Sequence, residues 1–222
     1  MNGRKLTLVS HPVLSRQEQK EQTREALLDA ALELSQESGF AQVSLRQVAR
    51  SAGVVPTAFY RHFDSMDDVG LALVERSFGT LRQMMRDAQR DPDLFTDLIS
   101  TSIDILVATV KGNRDHFAFV GRERLGGSAP VRDAIQRELE LFVSETAVAI
   151  RVLPVVSSWT IDDVMTLSGL FVRNMVFRAE QVLAMPPGRS DLESDLKRTM
   201  RREMLMIVFG VVNWQSRDTV PS

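Results

Sequence analysis

"SLRQVARSAGVVPTAFYRHF", Ser44 to Phe63, is the stretch on which the fold of this chain turns. Ser44 opens a capping box: its hydroxyl takes one orphan amide of a first helical turn, and Gln47 reaches back. Leu45, Val48, Ala49 and Ala52 then recur at helical spacing as a buried stripe. Gly53 breaks that helix, and Pro56 stands where a first turn tolerates a missing amide proton. Phe59 and Phe63, four apart, face inward and leave Thr57, Ala58, Tyr60 and Arg61 toward the outside. The result is two short helices joined by a tight turn, the second too short to form a core alone. A chain with one tyrosine and three histidines has placed Tyr60 and His62 together on it.

The same periodicity runs through the rest of the chain. On the N-terminal side, Ala26, Leu27, Ala30, Ala31 and Leu34 mark one face of a helix from Ser15, its N-cap, to about Glu37, with Gly39 as its stop. On the C-terminal side a fourth helix covers about 67–89, with Val69, Leu73 and Leu81 among its apolar positions. Longer helices follow at about 92–110, 114–125, 129–152, 160–184 and 190–216. The breaks between them, "KGN", "GGSAP", "LPVVSSW" and "MPPGRS", carry Gly, Pro or Ser. No strand alternation is sustained, and there is no internal repeat. The expected fold is all-α with about nine helices. A loose basic arm is expected at 1–14, a helix-turn-helix domain at 15–66 and a larger bundle at 67–222.

Bulk properties narrow the function classes. With no cysteine among 222 residues, disulfides, thiolate metal sites and cysteine nucleophiles are excluded. His11, His62 and His116 are too scattered for a metal site, and no paired carboxylates or Ser-His-Asp set support catalysis. Neither a metal nor a cofactor is expected. The longest apolar run, "MLMIVFGVV" at 204–212, is about half of a membrane span. No secretory signal opens the chain, so a soluble cytoplasmic protein is expected. Net charge is −2, but residues 1–63 hold eight Lys/Arg against six Asp/Glu, and the remainder 19 against 23. The imbalance favours a nucleic-acid partner at the N-terminus.

Two short helices with a glycine turn occur as ordinary helical corners and also as DNA-reading helix-turn-helix units. In the second case the outer face of the second helix lies in a major groove. Thr57, Ala58 and Arg61 are then placed for base contacts, and Arg46 for phosphate or a base edge. Ser44, Tyr60 and His62 would hold backbone phosphates, which fix register without reading sequence. Arg4 and Lys5 on the arm would reach a minor groove or flanking phosphates.

The segment "TREALLDAALELSQESGFAQVSLRQVARSAGVVPTAFYRHFDSMDDVGLALVE" closely resembles the N-terminal domain of the TetR family of bacterial repressors. The likeness covers about 55 contiguous residues with spacing preserved, including the "FYRHF" signature. One departure is Met66, where the family usually has a phosphate-contacting lysine. The resemblance implies a homodimer whose two recognition helices meet successive major grooves of a palindromic operator. It implies dimerisation through the last two helices, about 160–184 and 190–216, and control by a small ligand that moves the fourth helix. The apolar residues Leu167, Leu170, Phe171, Met200, Met204, Ile207, Val208, Val211 and Trp214 fit such an interface, and equally an internal core.

For the ligand, Phe117, Phe119, Phe142, Met165, Phe171, Met175 and Phe177 supply large apolar side chains for an elongated cavity. Arg122, Arg124, Asn174 and Arg178 add polar groups suited to a phosphate-bearing carrier. The competing reading takes the Phe/Met stripe as core and the arginines as partners of nearby glutamates. "PTAFYRHF", "LRQMMR" and "RDHFAFVGRERLGG" resemble the FabR/DesT branch of the family, which regulates unsaturated fatty acid synthesis. That resemblance implies a long-chain acyl-CoA effector, with saturated and unsaturated chains acting oppositely. A sensor of another hydrophobic ligand or drug is the alternative.

Overall fold

A computed structural model describes residues 15–88 and 98–216. Among them the chain is all-helical: α1 Arg16–Ser38, a 3₁₀ turn Phe40–Gln42, α2 Leu45–Ser51, α3 Pro56–Phe59, α4 Met66–Ala88, α5 Leu98–Gly112, α6 Arg114–Gly126, α7 Ala129–Ile150, α8 Ile161–Ala184 and α9 Ser190–Asn213. The expected segments fall within a few residues of these bounds. The basic arm, with Arg4 and Lys5, and the expected start of the fifth helix lie outside the described residues.

Local chemistry sets the ends of the first helices. Ser15 caps α1 with a complete capping box, in which its hydroxyl accepts the Glu18 amide at 3.2 Å and Glu18 accepts the Ser15 amide at 2.6 Å. Gly39 stops α1 at φ +82, and Gly53 turns the chain between α2 and α3 at φ +70. Both lie in the left-handed region where a side chain is strained. The 3₁₀ turn between α1 and α2 carries no cap signal of its own, and its one buried residue is Phe40.

Among the described residues three apolar cores form. The largest joins Leu27, Leu28 and Ala31 of α1, Val48 of α2, Phe59 of α3 and Val69, Leu73 and Phe78 of α4 to Phe119 of α6 and Ile135 of α7. The helix-turn-helix is therefore built on the same core as α6 and α7. Gly70 permits the close approach: a Cβ there would lie 2.6 Å from Val131 and 2.8 Å from Phe40. The second core packs Ile103, Leu106, Val107 and Val110 of α5 against α8 and α9, and the third packs Ala147, Val156, Trp159, Val164 and Leu167. Among the described residues, no helix is long and apolar enough to cross a membrane.

Candidate nucleic-acid interface

Phe59 and Phe63 anchor the recognition segment as their spacing demands. Their exposures are 0% and 5%, and their ring centroids lie 5.8 Å apart. Regular α-helix covers only Pro56–Phe59, with Pro56 in its first turn. The turn continues through single backbone bonds, Arg61 N–H to Ala58 O at 3.1 Å, His62 N–H to Phe59 O at 2.9 Å and Phe63 N–H to Phe59 O at 3.1 Å. Arg24 of α1 stacks over the Phe63 ring at 5.2 Å and closes the apolar side.

Around these anchors Thr57, Tyr60 and Arg61 are exposed, while Ala58 is half-buried. The Tyr60 ring leans edge-on against Phe59 at 5.8 Å, which fixes its direction while leaving most of it in solvent. His62 is half-buried, and its Nδ1 is buried with no hydrogen-bond partner in the structure. Burial, with the positive charges of Lys20, Arg24 and Arg61, holds its pKa below the usual histidine value.

Ser44 does what the capping box requires. Its hydroxyl accepts the Gln47 amide at 3.3 Å and donates to Gln47 Oε1 at 2.7 Å, and the same oxygen accepts the Ser44 amide at 2.9 Å. A phosphate reaching Ser44 would replace Gln47 as acceptor. Arg46 and Arg50 are exposed on the same helix. Met66 is partly buried against the main core, and Ser65 caps the start of α4 through Asp68, its hydroxyl accepting the Asp68 amide at 3.1 Å. With Asp67 and Asp68 in its first turn, that helix end offers acids where a lysine would meet phosphate.

The residues expected to line a ligand cavity are not brought together. Phe119 lies in the main core against Phe40, with rings 5.7 Å apart and perpendicular, while Phe117 packs on the second core and Met165 and Phe171 on the third. Phe142 is buried in α7, and Met175 is 36% exposed. Arg122 donates to backbone carbonyls of α1, Arg124 to Glu180 at 2.5 and 3.1 Å, and Asn174 to Glu203 at 3.3 Å. Arg178 is 6% exposed and is held by Glu203 and Gln181. Of the eleven, only Arg178 borders either of two open grooves, one of about 490 Å³ between α8 and α9. The other, of about 470 Å³, lies among Asp29, Arg76, Arg114 and His116. Among the described residues no cluster of three or more His, Asp or Glu is arranged to hold a metal. Sequence reasoning takes Glu123 only as a candidate partner of the neighbouring arginines; in the structure it is 3% exposed and accepts the Phe40 amide at 3.0 Å.

Residues 27–73 match the family described as "Bacterial regulatory proteins, tetR family", over about a fifth of the chain. A putative TetR-family transcriptional regulator from Syntrophomonas wolfei shares the fold with a TM-score of 0.68 at 15% identity, covering 88% of this chain and 99% of that one. The fatty acid degradation regulator FadR from Bacillus halodurans superposes with a TM-score of 0.65 at 14% identity, covering 88% and 97%. The multidrug binding protein EbrR, complexed with imidazole, does so with 0.57 at 18% identity, covering 81% and 93%. At such identities the likeness to these structures is one of fold. Together with the match over residues 27–73, it shows a TetR-like fold whose helix-turn-helix region resembles that of the tetR family.

Proposed function

We propose that this chain is a cytoplasmic repressor that binds a palindromic operator as a homodimer and answers to long-chain acyl-CoA. The observation that carries the DNA half is the recognition segment itself: two buried phenylalanines four residues apart beneath exposed Thr57, Tyr60 and Arg61. Thr57 and Arg61 read base edges, Ala58 grazes them, and Tyr60, Ser44 and Arg46 fix register on phosphates. Arg4 and Lys5 extend the contact from the arm. His62, half-buried beside Arg61, joins them as a phosphate contact.

Dimerisation through α8 and α9 is supported by their outward apolar side chains. Leu170, Phe177, Met206, Phe209, Val212 and Trp214 are all at least 48% exposed in the single chain. That much apolar surface on two adjacent helices is characteristic of an interface.

The effector half rests on the residues shared with the unsaturated fatty acid synthesis branch, and the desaturase regulators of that branch are the reading we favour. A straight acyl chain and a cis-kinked one need differently shaped cavities. If each shape favours a different tilt of α4, the spacing of the two recognition segments follows. Such a ligand shifts the equilibrium only by its differential affinity for the two states, typically about 1–3 kcal/mol. The similarity in fold to a multidrug binding protein keeps a different hydrophobic ligand as the second reading.

The test is to select a binding site from random DNA, then titrate the complex with palmitoyl-CoA and oleoyl-CoA side by side. Recovery of a palindrome whose affinity the two thioesters move in opposite directions is the expected result. A palindrome indifferent to both leaves the regulator standing and removes the acyl-CoA effector. Failure to enrich any palindrome removes the regulator.

A further inference from the structure

Three consecutive residues at the end of α6 touch both halves of the molecule. Arg122 donates to the carbonyls of Ser35 at 2.5 Å and Gln36 at 3.2 Å in the last turn of α1. That turn has no basic residue of its own, so a cation from α6 meets the negative end of the α1 dipole. Glu123, only 3% exposed, accepts the Phe40 amide at 3.0 Å just beyond α1. Gly127 keeps room for it, because a Cβ there would lie 2.6 Å from the Glu123 carbonyl and 3.1 Å from its carboxylate. Arg124, rotated about 100° further round the helix, points instead to Glu180 of α8.

We propose that Arg122, Glu123 and Arg124 are positioning residues that link α8 to the DNA-reading domain, so that operator binding and the state of α8 are coupled. A buried carboxylate bonded to a backbone amide leaves its place only by exposing or orphaning both groups. The ends of α1 and α6 therefore move as one, and Arg124 extends that unit to α8. The inference rests on the reading of α2 and α3 as the DNA contact.

Amide hydrogen exchange on the full chain, with and without the selected operator duplex, tests it. In the wild type, the duplex slows exchange at α2–α3 and also changes it around Glu180 by about fivefold, the low end of ordinary coupling between sites. Arg124→Gln is expected to keep operator affinity and the protection at α2–α3 yet lose the change at α8. A residue with a merely structural role would not separate these two readouts. If Arg124→Gln does not fold, Glu180→Gln breaks the same pair from the other side. A full-sized change at α8 in the folded variant, or no change there in the wild type, overturns the proposal. A wild type without protection at α2–α3 overturns instead the DNA reading beneath it.

Discussion

At the recognition segment, Phe59 and Phe63 are buried at 0% and 5% while Tyr60 between them is 60% exposed. Across α8 and α9 the arrangement is reversed. Phe177, Phe209 and Trp214 are exposed at 53%, 68% and 53%, and Arg178 is buried at 6% against Glu203. Apolar anchors inside and polar groups outside make a surface for a polar, charged partner. Apolar rings outside and a neutralised cation inside make one for an apolar partner. The two ends of the molecule thus advertise different partners through where each puts its large side chains.

The largest way to break the first half of that comparison is Phe59→Ala. Removing a fully buried ring typically costs about 3–5 kcal/mol, and this ring sits where α1, α2 and α4 share a core. Urea unfolding is expected to show that loss, with operator binding abolished. A variant of near wild-type stability would mean the recognition segment does not depend on its anchor. For the second half, Phe209→Glu places a charge on the outward face of α9 without touching the monomer's cores. Central aromatic residues of interfaces commonly contribute about 2 kcal/mol or more. Analytical ultracentrifugation should therefore show a concentration-dependent shift from dimer to monomer with the fold intact. A dimer of unchanged strength would place the interface elsewhere.

The contrast also explains what was legible in the sequence. Helix bounds, the caps at Ser15 and Ser44, the turns at Gly39 and Gly53 and the Phe59/Phe63 anchors are set by spacings of three or four residues, so they can be read directly. The partial burial of Ala58 and His62 was harder, because it depends on tertiary packing and not on spacing along the chain. The placement of the expected ligand residues was hidden by a stronger form of the same reason. Whether Phe119 lines a cavity or meets Phe40 depends on residues 79 positions apart, and Arg178 finds Glu203 on the next helix. A stripe of Phe, Met and Arg is the same whether it faces a tunnel, a core or a salt bridge.

A smaller effect separates the exposed groups of the recognition segment from one another. Arg61→Ala should cost operator affinity about 1–3 kcal/mol and relax base preference if Arg61 reads a base edge. Tyr60→Phe should weaken all sequences alike, since a phosphate contact carries no sequence information. Gel-shift titration against the selected site and its single-base variants checks both. A Tyr60→Phe protein with altered base preference would exchange the roles assigned to the two residues.

The smallest expected effect lies at His116, on the groove between α1, α4 and α6. Its Nδ1 is 2.9 Å from the hydroxyl of Ser77, a fully buried residue. Burial, and then the charge of Arg76, lower its pKa from the ordinary histidine value, against the opposing pull of Asp115 and Asp29. The folded chain therefore binds a proton at this site more weakly than the unfolded chain does. The stability it contributes is fully present above about pH 6.5, the unfolded value, and is lost as pH falls through that value toward the lower folded one. His62 carries a shift of the same sign and remains as background in both proteins compared. His116→Asn keeps a polar atom near Ser77 and removes the titration. Urea unfolding at pH 7.5 and pH 5.5 should accordingly give a smaller difference for the variant than for the wild type. Equal differences would mean that the imidazole by Ser77 stays neutral, or charges, alike in both states of the chain.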